Sequence, residues 1–324
     1  MNPEFRTIAA NGVKLRAAIA GKGPLIVMVH GFPESWYSWR HQMAPLAAAG
    51  FTACAIDVRG YGGSDKPHAV EAYDMAQMTA DIAGVIDALS PDAPAIIVGR
   101  DWGAPIVWNT ALIYRDKVRA VAGLSVPHYG VPPVSLDQII KAMFTDQGRF
   151  FYMAYFKDEG VAEAAFEADV RSGLRKLYYA GCGQSGLAWG GAEKKHGEAL
   201  LDGMVDPEKF PAFLTEADLD YYVGEFSRSG FRGPLNRYRN ADRDWAFLRT
   251  IEDQVVHQPS LYIVGDRDLV LKMFGGGAEQ AAARLRENTS DLRGVHVLPG
   301  IGHWTQEEAP EQVTGILLDW LATL

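Results

Sequence analysis

Asp101, His303 and one of two aspartates, Asp266 or Asp268, are the residues whose types and settings could share a reaction. Asp101 is the centre of Gly99-Arg100-Asp101-Trp102-Gly103, a small–x–nucleophile–x–small pattern between an apolar run and a helical one. A turn of that form lifts its middle side chain above a strand end, and the flanking glycines let two backbones come close. The start of the next helix favours negative charge there. A carboxylate so placed can be a nucleophile or a plain helix cap, and the pentapeptide alone does not choose. His303 stands in Pro299-Gly300-Ile301-Gly302-His303-Trp304, after the last apolar run, and the turn Gly265-Asp266-Arg267-Asp268 follows the run before it. An acid in that turn can hold the imidazole in one tautomer, although Asp beside Gly is also ordinary turn chemistry. No acid follows the preceding run, at Ser125-Val126-Pro127-His128, which leaves the 265–268 turn as the source. The fourth piece is His30-Gly31-Phe32-Pro33, whose backbone N–H groups can face the turn at 101. The N–H groups of Phe32 and Trp102 would form an oxyanion hole.

The elements that must position these residues read as an alternation. Val13–Ala20, Leu25–Val29, Thr52–Ile56, 95–98, 118–126, 260–264 and 294–298 read as strands. Several are apolar on both faces, as in a central parallel sheet. Helical spacing covers 43–49, Met75–Leu89, 106–114, 277–286 and Pro310–Leu321, and Thr305 with Glu308 could cap the last of these. The alternation stops at Pro127 and resumes near Ser260. Between them the chain is rich in aromatics, glycines and helical patches. The pattern is a parallel α/β sheet with one helical insertion, and the candidate residues stand at strand ends, where such sheets place their sites. We expect a core of residues 1–127 and 246–324 and a lid of residues 128–245.

Composition narrows the function classes. The 324 residues are 48% hydrophobic and carry a formal net charge of −9. Such a surface repels phosphate backbones and anionic lipids, so nucleic acid and membrane partners are not expected. The two cysteines, Cys54 and Cys182, form neither a disulfide framework nor a metal cluster, and no metal or cofactor is expected. Residues 1–6 lack the features of a signal peptide, and no run approaches the roughly 20 apolar residues of a membrane span. A cytoplasmic protein, monomer or homodimer, is the expectation.

With these residues in view, the chain resembles the epoxide hydrolases of the α/β-hydrolase fold, of the soluble type. The resemblance rests on His30-Gly-Phe-Pro-Glu-Ser-Trp-Tyr-Ser-Trp-Arg40, Asp57-Val-Arg-Gly-Tyr-Gly-Gly-Ser64, Asp101-Trp-Gly-Ala104, Gly302-His-Trp-Thr-Gln306 and Ser229-Gly-Phe-Arg-Gly-Pro-Leu-Asn-Arg-Tyr-Arg-Asn240. It implies that Asp101 opens an epoxide to give an ester, which a water activated by His303 and Asp268 hydrolyses to a vicinal diol. It selects Asp268 over Asp266, because the second acid precedes Leu269-Val270. It also implies two lid tyrosines that hold the epoxide oxygen, matched by Tyr152 and Tyr238, with Tyr155, Tyr221 and Tyr222 in packing roles. The phosphatase domain of some relatives and the membrane anchor of others are not expected. One position departs from the family, Arg100 in place of a histidine before the nucleophile, and Arg237 stands where some relatives often have an aromatic. Trp36, Phe32, Trp102 and Met153 are expected to shape a pocket for a small hydrophobic epoxide and water.

The residue types suit that chemistry. Carboxylate attack on an ester carbonyl gives an anhydride, whereas attack on an sp³ carbon gives an ester that water can cleave. An epoxide oxygen leaves as a strong base and needs a donor, which a neutral tyrosine supplies. A haloalkane or haloacid dehalogenase is the nearest alternative, since it shares Asp-Trp after the turn but requires no tyrosine pair. A non-catalytic ligand-binding protein on the same scaffold is the alternative of another class. A serine esterase is excluded by Asp101.

Overall fold

The computed structural model describes residues 3–185, 194–273 and 276–324. Among them, one eight-stranded sheet has the order β1-β2-β4-β3-β5-β6-β7-β8. The strands are β1 (Glu4–Ala10), β2 (Val13–Ala20), β3 (Leu25–Val29), β4 (Thr52–Ile56), β5 (Ala95–Arg100), β6 (Val118–Leu124), β7 (Ser260–Gly265) and β8 (Leu292–Leu298). β1 and β2 form an antiparallel hairpin and β2 runs antiparallel to β4. Every other pairing is parallel.

The continuous apolar runs are explained by cover on both faces of the sheet. Val27 and Val29 join an apolar layer with the helices Met75–Leu89 and Gly103–Ile113, while Ile26 and Met28 join one with Met43, Leu46, Leu317 and Trp320. The helix Met75–Leu89 starts where Asp74 accepts the Gln77 N–H at 2.9 Å. The sequence pattern does not mark β1, because five of its seven residues are exposed and leave no apolar alternation.

Between the end of β6 at Leu124 and the start of β7 at Ser260, helices run from Leu136–Met143 to Ala241–Leu248, with no described strand longer than an isolated bridge. The expected capping of the last helix by Thr305 and Glu308 does not form. Thr305 opens a separate short helix, Thr305–Glu308, and Pro310 starts the last one. Glu308 instead accepts the N–H groups of Gly183, Gly302 and Trp304 at 2.9, 3.1 and 3.0 Å, fastening the loop that carries His303. Among the described residues, no helix is long and apolar enough to cross a membrane.

Candidate active site

The carboxyl ends of β5, β6, β7 and β8 deliver one polar cluster. Asp101 follows β5 with φ 51°, a left-handed conformation uncommon for a residue with a side chain. The sharp turn brings the following helix against β3, and a Cβ at Gly103 would collide with the Val29 carbonyl. A Cβ at Gly31 would likewise strike the Asp101 carboxylate, so glycine there lets the 30–33 loop close over Asp101.

Asp101 is buried, and its two oxygens face different partners. Oδ1 accepts the Phe32 N–H at 2.8 Å, while Oδ2 lies 3.3 Å from His303 Nε2. On its other edge His303 Nδ1 lies 3.0 Å from Asp268 Oδ1 and 3.1 Å from Ser125 Oγ. Asp268 is fully buried and also accepts the Val270 N–H at 2.9 Å. Asp266 is exposed and accepts the Gly300 N–H at 2.7 Å, so it ties the loop from outside.

These contacts set the charges. Burial pushes Asp101 up, but the hydrogen bond and charge of His303, the Arg100 charge and the Phe32 N–H outweigh it, and the carboxyl lies below the usual aspartate value. Asp268 is likewise pushed up by burial and held below the usual value by His303, Ser125 and the Val270 N–H. Burial and Arg100 push the His303 imidazole down. The Asp268 charge and the hydrogen bonds to both carboxylates prevail, raising it above an ordinary histidine. His30 is pushed down to about 4 by burial, so it is neutral at pH 7. Its Nε2 accepts the Val58 N–H at 3.0 Å, which puts the proton on Nδ1, 2.8 Å from the Gly31 carbonyl.

Aromatic rings form the opposite wall. Tyr152 and Tyr238 are both buried, with ring centroids 6.0 Å apart at 79°. Phe32 packs on Tyr238 at 5.6 Å, Trp102 at 5.2 Å, and Phe156 on both tyrosines at 5.5 and 4.9 Å. Burial, then the Asp101 charge, raises both phenols well above 10, so both stay protonated at neutral pH. Met153 is half-buried against the same layer. Arg237 is buried with its guanidinium 4.7 Å over the Trp102 ring, paired with Asp244 and donating to the Tyr73 carbonyl. Burial lowers it to about 10.

Trp36 corrects an expectation. It belongs to the apolar layer on the other face of the sheet, where its indole donates to the Tyr221 hydroxyl at 2.7 Å and its ring packs against Phe5 and Tyr37. Its backbone N–H is held by Asp57 at 3.0 Å, and it lies in a different apolar cluster from Phe32, Tyr152 and Tyr238. Tyr155 packs on Phe150 and Phe156, and Tyr222 donates to Glu307 at 3.2 Å. Sequence reasoning misses Ser125 beside His303 and Glu34 behind the cluster. The available signal for Ser125 is its place at the end of β6, where the pattern prompts a search for an acid alone. Among the described residues, no group of three or more His, Cys, Asp or Glu is placed to hold a metal.

This strand order, with an acidic residue at the sharp turn after β5 and a histidine after β8, defines the α/β-hydrolase fold. The family model for that fold matches residues 24–176. The chain is 39% identical over 333 residues to epoxide hydrolase A of Mycobacterium tuberculosis, covering 99% of this chain and 98% of that one. Among solved structures, an epoxide hydrolase from an endophytic Streptomyces superposes with a TM-score of 0.92 at 41% identity, covering 99% and 96% of the two chains. Epoxide hydrolase A from Mycobacterium thermoresistibile gives 0.90 at 38%, covering 99% and 98%. The chain belongs to the epoxide hydrolases of the α/β-hydrolase fold.

Proposed function

We propose that this enzyme converts epoxides to vicinal diols through an ester on Asp101, with residues 128–245 closing over the substrate as a lid. The observation that carries the reading is the division of contacts at Asp101. One oxygen is held by the Phe32 N–H, the other faces His303, and two buried, protonated tyrosines pack beyond it.

Oδ2 attacks an epoxide carbon while Tyr152 and Tyr238 hydrogen-bond the ring oxygen and one of them gives it a proton. Oδ1 becomes the ester carbonyl oxygen. His303, oriented by Asp268, then takes a proton from water, which adds to that carbonyl, and the Phe32 and Trp102 N–H groups stabilise the oxyanion. On collapse the departing ester oxygen takes the proton from His303, the carboxylic acid formed gives its proton to the tyrosinate left by the first step, and the diol leaves with the water's oxygen kept in the Asp101 carboxylate. The aromatic wall, with Met153 beside it, favours an apolar substituent on the epoxide.

Single turnover in ¹⁸O-water tests the route. The first diol is expected to carry no solvent label and Asp101 to acquire one. Label in the first diol would mean that water opens the ring directly, and the ester mechanism would be wrong.

A further inference from the structure

Arg100 is wholly buried immediately before Asp101, and its guanidinium touches both loops that flank the nucleophile. Nε and Nη2 donate to the His303 carbonyl at 3.1 and 2.5 Å. Nη1 forms an ion pair with Glu34 Oε1 at 3.2 Å, and the group lies 4.4 Å over the Trp304 ring. Glu34, also wholly buried, accepts the Gly31 N–H at 3.2 Å and the Gln306 side chain at 3.0 Å. One guanidinium therefore joins the nucleophile strand, the loop that presents the Phe32 N–H and the loop that presents His303.

We propose that Arg100 is a positioning residue for ester hydrolysis, holding His303 and the Phe32 N–H in register once Asp101 has been alkylated. The inference rests on the two-step reading above. In the free enzyme the Asp101 carboxylate itself helps to orient the imidazole, at 3.3 Å from Nε2. Alkylation removes that charge. The imidazole ring then depends on Asp268 and Ser125. Its backbone is held by Arg100 at the carbonyl, which also accepts the Thr305 hydroxyl at 3.5 Å, and by the Gly181 carbonyl, which accepts the His303 N–H at 2.8 Å. Of these contacts to the His303 backbone, the one from Arg100 also reaches the loop that presents the Phe32 N–H, through Glu34, which Gln306 braces from the same side. The attack on the epoxide draws on the Arg100 charge and the Phe32 N–H only to keep Asp101 ionised and does not need His303 as a base, so it depends less on this clamp.

The test follows the two steps separately, with styrene oxide as probe, by rapid quench and intact-protein mass of the adduct. Removing both charges together, in R100M with E34Q, avoids leaving one buried charge unpaired. In that variant adduct formation should slow less than adduct decay, by at most about five-fold, because the opposite charges of Arg100 and Glu34 leave together and their effects at Asp101 cancel in part. Adduct decay should slow by about 10- to 100-fold, as expected for a catalytic group displaced by about 1 Å. R100K keeps the cation but cannot donate twice to the His303 carbonyl while also reaching Glu34, so its decay rate should fall between those of wild type and the double variant. Parallel slowing of both steps, or unchanged decay in both variants, overturns the positioning role. If the double variant does not fold, the R100K decay rate decides alone. A wild type that releases diol with no Asp101 adduct at any time overturns the two-step reading instead.

Discussion

The two sides of Asp101 are built from opposite materials. Behind it lie Arg100, Glu34, His303, Asp268 and Ser125, linked by ion pairs and hydrogen bonds of 2.5 to 3.2 Å. In front stand Phe32, Trp102, Phe156, Tyr152 and Tyr238, packed ring on ring. Burial alone would protonate the aspartate, and the rear cluster reverses that outcome. On the apolar side burial acts unopposed by any cation strong enough to reverse it, so both phenols keep their protons. The fold thus places an ionised carboxylate next to neutral phenols by giving each its own surroundings.

Breaking Asp101 itself or its rear side should have the largest effects, and they should differ in kind. Asp101→Ala removes the nucleophile, and steady-state diol formation should fall by about 10⁴-fold or more, with no covalent adduct detected by intact-protein mass. His303→Ala should lower turnover by about 10³-fold or more but leave the adduct standing, because only the second step needs the base. An H303A enzyme that never holds the adduct would contradict the assignment of His303 to hydrolysis.

The two tyrosines of the front side should respond less and in the first step alone. Tyr152→Phe and Tyr238→Phe each leave one phenol, so adduct formation should slow by about 10- to 100-fold in either and further in the pair. Adduct decay should be nearly unchanged. Stopped-flow tryptophan fluorescence, with Trp102 against Tyr238, can follow both phases. Ser125→Ala should cost less, about 2- to 10-fold in adduct decay, since it removes one neutral contact to Nδ1 while Asp268 remains.

The same contrast explains what is legible in the sequence. Asp101 and His303 stand out because glycines and apolar runs mark strand ends, and those marks depend on local backbone sterics. The parallel strands are legible for a similar reason, since runs such as Leu25–Val29 are buried on both faces. Asp266 and Asp268 are not separated by local pattern, and resemblance alone favours the second. Their difference lies in burial, exposed against fully buried, which depends on residues distant in the chain. Ser125 and Glu34 are illegible because serine and glutamate serve many purposes, and only the convergence of β5, β6 and the loops gives these two their partners. Trp36 misleads because a tryptophan close in sequence to Phe32 can still lie across the sheet from it.

The pH dependence sharpens the comparison most finely. In the free enzyme His303 is raised above the ordinary histidine value by Asp268 and by the hydrogen bond to Asp101, against burial and Arg100. Conversion of Asp101 to an ester removes one of the two groups that favour the imidazolium, while burial and Arg100 still oppose it. The imidazole of the ester intermediate therefore loses its proton at lower pH than that of the free enzyme. Since only neutral His303 can take a proton from water, the acid limb of adduct decay should lie below the His303 titration measured by NMR in the free enzyme. Adduct formation should remain level through that range, because Asp101, held below the usual aspartate value, stays ionised and both tyrosines, raised well above 10, stay protonated. An acid limb of decay above the free-enzyme titration would show that Asp101 does not stabilise the imidazolium, and the rear cluster would then not work as the geometry implies.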